Sequence, residues 1–71
     1  MNTNKTVSII MGTYNGAEYI REQLDSILSQ TYPLKEIIIQ DDGSTDDTVA
    51  ICTAYAEKFS IIHFSRNASN L

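Results

Sequence analysis

Two hydrophobic periods alternate along this chain. Val7-Ser8-Ile9-Ile10-Met11 is a β-branched, mostly apolar run of the kind that forms a buried strand. Gly12-Thr13-Tyr14-Asn15-Gly16 breaks it; Gly16 permits a turn, and Asn15 is placed to cap a following helix. From Ala17 to Gln30 the period becomes helical. Ala17, Ile20, Leu24, Ile27 and Leu28 share one face, and Glu18, Arg21, Glu22, Asp25 and Ser29 take the other. Arg21 and Asp25 are spaced to pair across one turn. Pro33 disfavours helical geometry in the residue before it, so Thr31-Tyr32-Pro33 ends the segment.

Glu36-Ile37-Ile38-Ile39-Gln40 predicts a second strand. Ser44 or Thr45 then opens a second helix, with Ser44 and Asp47 spaced like a capping box that has Asp in place of Glu. Asp46 and Asp47 would lie in its first turn, where the helix dipole favours acids. Its apolar stripe is Val49, Cys52, Ala56 and Phe59, widened by Ile51 and Tyr55. Ser60 breaks the pattern, Ile61-Ile62-His63-Phe64 reads as a third strand, and Ser65 to Leu71 is polar and turn-like. Residues 1–6 read as a loose tail.

Strand, helix, strand, helix, strand is an α/β order. It implies parallel strands joined by right-handed crossovers, the βαβαβ half of a doubly wound sheet. Two crossovers in one direction put both helices on the same face. The other face is then expected to carry uncovered apolar side chains, and Val7 to Met11 to present an uncharged open edge. A fragment, or a chain that self-associates through that edge or face, is the expectation.

Composition narrows the picture modestly. The chain has 71 residues, one cysteine and a net charge of −4. No intrachain disulfide can form from Cys52 alone, which fits a reducing compartment and a cytoplasmic location. The polar start resembles no secretion signal, and no stretch is long enough to cross a bilayer. Without a Lys/Arg cluster, a nucleic-acid surface is not expected.

The chemistry concentrates in "QDDGSTDD", which sets four carboxylates within residues 41–47 directly after an apolar run. Like charges this close repel, so the turn needs a reason. Ligands of open α/β sheets bind at the carboxyl ends of the strands. Tyr14 after the first strand and Asp41 and Asp42 after the second would face one crevice there. An aromatic ring stacks on a base, and a carboxylate accepts from a base N–H or ribose hydroxyls while repelling phosphate; a nucleoside fits best. Tyr14 is equally readable as a packed turn aromatic. Asp46 and Asp47 are explained as helix N-terminal acids, whereas neither capping nor the dipole explains Asp41 and Asp42. The phosphate-loop and dinucleotide glycine patterns are absent, and "DDGSTDDTVAIC" has the wrong spacing for a calcium loop. His63 has no Cys or His neighbour for a zinc site, and Cys52 sits on an apolar helix face as a core residue.

Three segments in order, "VSIIMGTYNG", "SILSQTY" and "EIIIQDDGSTDDT", resemble the opening of the family 2 glycosyltransferases, enzymes with the GT-A fold. The resemblance runs from Val7 to about Leu71. It implies an enzyme that moves a sugar from a nucleotide donor to an acceptor hydroxyl, with a divalent metal (Mn or Mg) in the full-length protein. It also implies that Tyr14 lies against the donor base, with the backbone of Gly12 and Thr13 lining the same pocket. Asn15 would hold the turn, Asp42 contact the base or ribose, and Asp41 support the pocket. Gly12 departs from the proline common at that position and leaves the turn less rigid. The family's Asp-x-Asp metal motif and catalytic base are not among these residues, so residues 7–71 are expected to be the N-terminal part of a catalytic domain, inactive alone. In the full-length protein, membrane association is left open. The competing reading is a non-catalytic nucleotide-binding or interaction module.

Overall fold

A computed structural model describes residues 6–31 and 33–67. The expectations for residues 1–5 of the tail, for Tyr32 in the helix stop and for residues 68–71 of the polar end lie outside the described residues. Five elements alternate: β1 (Val7–Thr13), α1 (Ile20–Leu28), β2 (Leu34–Asp41), α2 (Thr48–Lys58) and β3 (Ile62–Arg66). The strands form a sheet in the order β1-β2-β3, parallel throughout. This is the expected α/β arrangement.

Strands run further toward their carboxyl ends than periodicity indicated. Gly12 and Thr13, expected in the turn, extend β1 because Gln40 and Asp41 of β2 still stand opposite them in register. Ser65 and Arg66, expected to be turn-like, pair with the same two residues from β3. Helices are shorter than expected. Residues 17–19 form a turn, and α1 starts where the Ile20 N–H reaches the Gly16 carbonyl at 2.9 Å. It stops at Leu28, where the Ser29 hydroxyl and Gln30 amide both donate to the Ser26 carbonyl.

The sheet alternates as a half-buried sheet must. Ile9, Met11, Ile37, Ile39, Ile62 and Phe64 turn toward the helices, where they pack with Ile20, Leu24, Ile51 and Cys52. Both helices therefore cover one face. They are also joined directly, because the Tyr55 hydroxyl donates to Asp25 Oδ1 at 2.6 Å. Tyr55 is thus the hydrogen-bond partner of Asp25, where the i, i+4 spacing had suggested Arg21.

The opposite face meets the expectation in part, since Ile10 and Ile38 lie on it with no helix over them. It is not broadly apolar: Ile10, 77% exposed, and the partly covered Ile38 stand in register with His63, between Ser8, Glu36, Gln40 and Ser65. Ser8 donates to Glu36 Oε2 across the strands at 3.1 Å. No helix among the described residues is long and apolar enough to cross a membrane.

Candidate functional site

The carboxyl ends of β1 and β2 meet in a hydrogen-bonded junction centred on Asp41. This side chain is fully buried. Its Oδ1 accepts from the Thr13 hydroxyl at 2.7 Å and the Ser44 hydroxyl at 2.5 Å. Its Oδ2 accepts from the backbone N–H groups of Gly43 at 3.1 Å and Ser44 at 2.8 Å. Burial pushes the carboxyl pKa up, but the Ser44 hydroxyl and N–H, the Thr13 hydroxyl and the Gly43 N–H outweigh it and hold the group below its ordinary value. The loop closes this tightly because Gly43 sits at φ 90°, a left-handed conformation that costs glycine nothing. Asp41 therefore organises the turn from beneath and does not face an open crevice. Its placement has a structural explanation that spacing had not supplied.

A second set of bonds knits the two turns together. Three consecutive N–H groups of the β1–α1 turn find side-chain acceptors from the β2–α2 turn. Asn15 donates to Ser44 Oγ at 2.7 Å, Gly16 to Thr48 Oγ1 at 2.8 Å, and Ala17 to Asp46 Oδ2 at 3.1 Å. In return Asn15 Oδ1 accepts the N–H of Thr45 at 2.8 Å and of Asp46 at 3.4 Å. Asn15 itself lies at φ 50°, which short polar side chains tolerate. It does not cap α1, which is preceded by Tyr19 and has no side-chain cap. Instead it serves the loop before α2.

The same bonds explain why α2 begins at Thr48 and not at Ser44 or Thr45. The Ser44 N–H goes to Asp41 and the Thr45 N–H to Asn15, so the expected capping box between Ser44 and Asp47 does not form. Asp46 Oδ1 accepts from the N–H and hydroxyl of Thr48, the first residue of the helix. The Thr48 hydroxyl above all, with the Thr48 and Ala17 N–H groups, holds the Asp46 pKa below its ordinary value. Asp46 and Asp47 precede the first turn and do not lie within it; Asp47 is exposed and makes no side-chain cap.

Two expected site residues remain at the surface, their backbones brought together at the ends of β1 and β2. Tyr14 is 51% exposed, so it is not a core aromatic. Asp42 is exposed, and its N–H donates to the Thr13 carbonyl at 2.9 Å. Tyr14 and Asp42 thus flank one backbone hydrogen bond. Gly12 is exposed beneath them on β1, whereas the Thr13 side chain is buried against Asp41. Sequence reading missed Asn67, which donates from Nδ2 to Asp42 Oδ1 at 3.2 Å. Its only signal was position: it directly follows β3, whose end aligns with Asp41.

The donor set does not fit a divalent cation. Among the described residues no group of three or more His, Cys, Asp or Glu side chains converges. Both oxygens of Asp41 and of Asp46 are already engaged by N–H and hydroxyl donors. Cys52 is buried on α2, and burial, with the nearby Asp41 charge, pushes its thiol pKa up to about 11. His63 is exposed on the open face, with Nε2 3.9 Å from Glu36 Oε1.

The sequence model of the family described as Glycosyl transferase family 2 matches residues 8–71. Among curated proteins, the chain is 49% identical over 57 residues to an uncharacterized glycosyltransferase of Rickettsia prowazekii, covering 80% of this chain and 18% of that protein. It is 36% identical over 69 residues to the uncharacterized glycosyltransferase YibD of Escherichia coli, covering 97% of this chain and 20% of YibD. With glycosyltransferase GlyA of Streptococcus pneumoniae it shares 40% identity over 57 residues, covering 80% of this chain and 8% of GlyA. The chain thus spans a fifth or less of each of these three relatives.

Proposed function

This chain belongs to glycosyl transferase family 2, and on that premise we propose that its β1–β2 edge is the nucleoside half of a donor pocket. The parent reaction moves a sugar from a nucleotide-sugar donor to an acceptor hydroxyl. Residues 7–71 are read as the start of a catalytic domain on the motifs that resemble the family's opening. Alone they hold nucleotide without transferring sugar.

One observation carries this reading: Tyr14 and Asp42 emerge at the surface on either side of the Asp42 N–H to Thr13 carbonyl bond. A base lying on the Tyr14 ring gains stacking energy, and a neighbouring carboxylate accepts its N–H or a ribose hydroxyl. The exposed Gly12 lets a ligand approach the backbone closely. Thr13, Asn15 and Asp41 act beneath this surface, holding the two turns in one geometry. No step here runs through a metal, because the described residues do not fit one.

The test is titration of the full-length protein with UDP, dTDP and GDP, comparing the natural chain with Asp42→Asn. The substitution is expected to weaken the preferred nucleotide about tenfold while leaving the melting temperature unchanged, the size of one charge-assisted hydrogen bond. Equal affinity in the two proteins would remove Asp42 from the pocket.

A further inference from the structure

Building on the nucleoside-pocket reading, we infer that Asn67 is a positioning residue for Asp42 and that Gln40 orients it. The Asn67 N–H donates to the Asp41 carbonyl at 2.9 Å, which carries the β3 ladder one residue past Arg66 and brings Asn67 to the carboxyl edge of the sheet. There its side chain bridges two residues of the β2 end. Nδ2 donates to Asp42 Oδ1 at 3.2 Å, and Oδ1 accepts from Gln40 Nε2 at 3.0 Å.

The direction of this chain follows from donor and acceptor chemistry. A carboxylate only accepts, so Asp42 must face the amide nitrogen of Asn67. The amide oxygen is then left toward Gln40, whose NH2 group only donates. Gln40 is anchored by its own place in the sheet, paired with Gly12 on one side and Ser65 on the other. An exposed carboxylate on a loop is thereby referenced to the central strand through a residue just past the far strand. Side chains that bind a ligand gain affinity when their rotamer is set beforehand. Asn67 sets it through one oxygen; Asp42 Oδ2 makes no hydrogen bond among the described residues and stays available to a ligand donor.

The experiment is a double-mutant cycle in the full-length protein. Asp42→Asn, Asp42→Ala, Asn67→Ala, Asn67→Asp and the double variant D42A/N67A are titrated with UDP, dTDP and GDP by calorimetry, with melting temperatures recorded alongside. Asn67→Ala is expected to weaken the preferred nucleotide about three- to tenfold, the range of one hydrogen bond. Asn67→Asp should weaken it more, because it sets a second carboxylate against Asp42. The double variant should bind no more weakly than D42A alone, since no side-chain oxygen then remains at position 42 for the Asn67 amide to hold. The 13Cγ resonance of Asp42 should also move in Asn67→Ala, which a purely structural role would not require. If D42N weakens binding while N67A does not, or if the D42A and N67A effects simply add, the positioning role is overturned and the nucleoside pocket stands. If D42N binds like the natural protein, the pocket reading fails and this inference fails with it. Should N67A not fold, the neutral and near-isosteric Asn67→Leu keeps the backbone bond, removes both side-chain hydrogen bonds and takes its place in the comparison.

Discussion

The Thr13 hydroxyl donates to Asp41 Oδ1 across 2.7 Å, and both side chains are buried where β1 and β2 end. The bond ties the end of β1 to the end of β2, beside the separate bonds that join the two turns. A carboxylate that receives four donors in a buried site is a structural anchor.

Replacing Asp41 with Asn leaves one oxygen and presents an NH2 group to donors that need an acceptor. The stability loss is expected to be roughly 2–3 kcal/mol, and that of Thr13→Val about 1 kcal/mol. Urea unfolding measures both; an Asp41→Asn loss no larger than that of a surface substitution would contradict the anchor role.

Acid should act through the same group. The folded pKa of Asp41 lies below its ordinary value of 3.8, and so does that of Asp46. Their contributions to stability are therefore complete above that value and are lost as pH falls through the lower folded pKa. Melting temperature should hold steady from neutral pH to about 5 and fall below about 4. The acid limb should be shallower in Asp41→Asn; an identical limb would place the proton uptake elsewhere.

Asn15 combines a positive φ with an acceptor for the Thr45 N–H. Asn15→Gly keeps the backbone conformation and loses the acceptor, at about 1 kcal/mol. Asn15→Ala loses both, and about 2 kcal/mol is expected. Chemical denaturation gives the ranking, and equal losses would show that the left-handed conformation carries no cost.

Tyr14 differs in kind, since its ring is half exposed. Tyr14→Ala is expected to change stability by less than about 0.5 kcal/mol. Nucleotide affinity should fall about tenfold, within the range for a base stacked on an aromatic ring. Calorimetry on the full-length protein reads the second effect and thermal melting the first.

Cys52 is the chain's single cysteine, buried, with a thiol pKa near 11. Its reaction with iodoacetamide at pH 8 should be slow in the folded protein and rise sharply in denaturant. Fast labelling of the folded form, followed by mass spectrometry, would mean that α2 opens readily.

Element order was legible because the short β-branched apolar runs around Ile9 and Ile38 read as strands, while the segments around Leu24 and Cys52 carry the 3.6-residue period of a helix with one buried face. Boundaries were less so. Gly12 and Thr13 look like turn residues in isolation, yet they extend β1 because β2 is long enough to pair with them. Asn15, Ser44 and Asp46 were recognisable as capping types, but each caps or receives a group from the other turn.

The α/β order, the family and the concentration of polar residues at one sheet edge are thus readable from the order of residues alone. Which carboxylate does what emerges on folding: Asp41 anchors, Asp46 serves the start of α2, and Asp42 stays at the surface beside Asn67. The physical reason is separation along the chain. The bonds that join the β1 side of the junction to the β2 side link residues 28 to 32 apart, and Asn67 lies 25 from Asp42, whereas only the Gly43, Ser44 and Thr48 donors are local. Local periodicity records which face is buried, but it holds no record of which donor a distant turn will bring to a given oxygen.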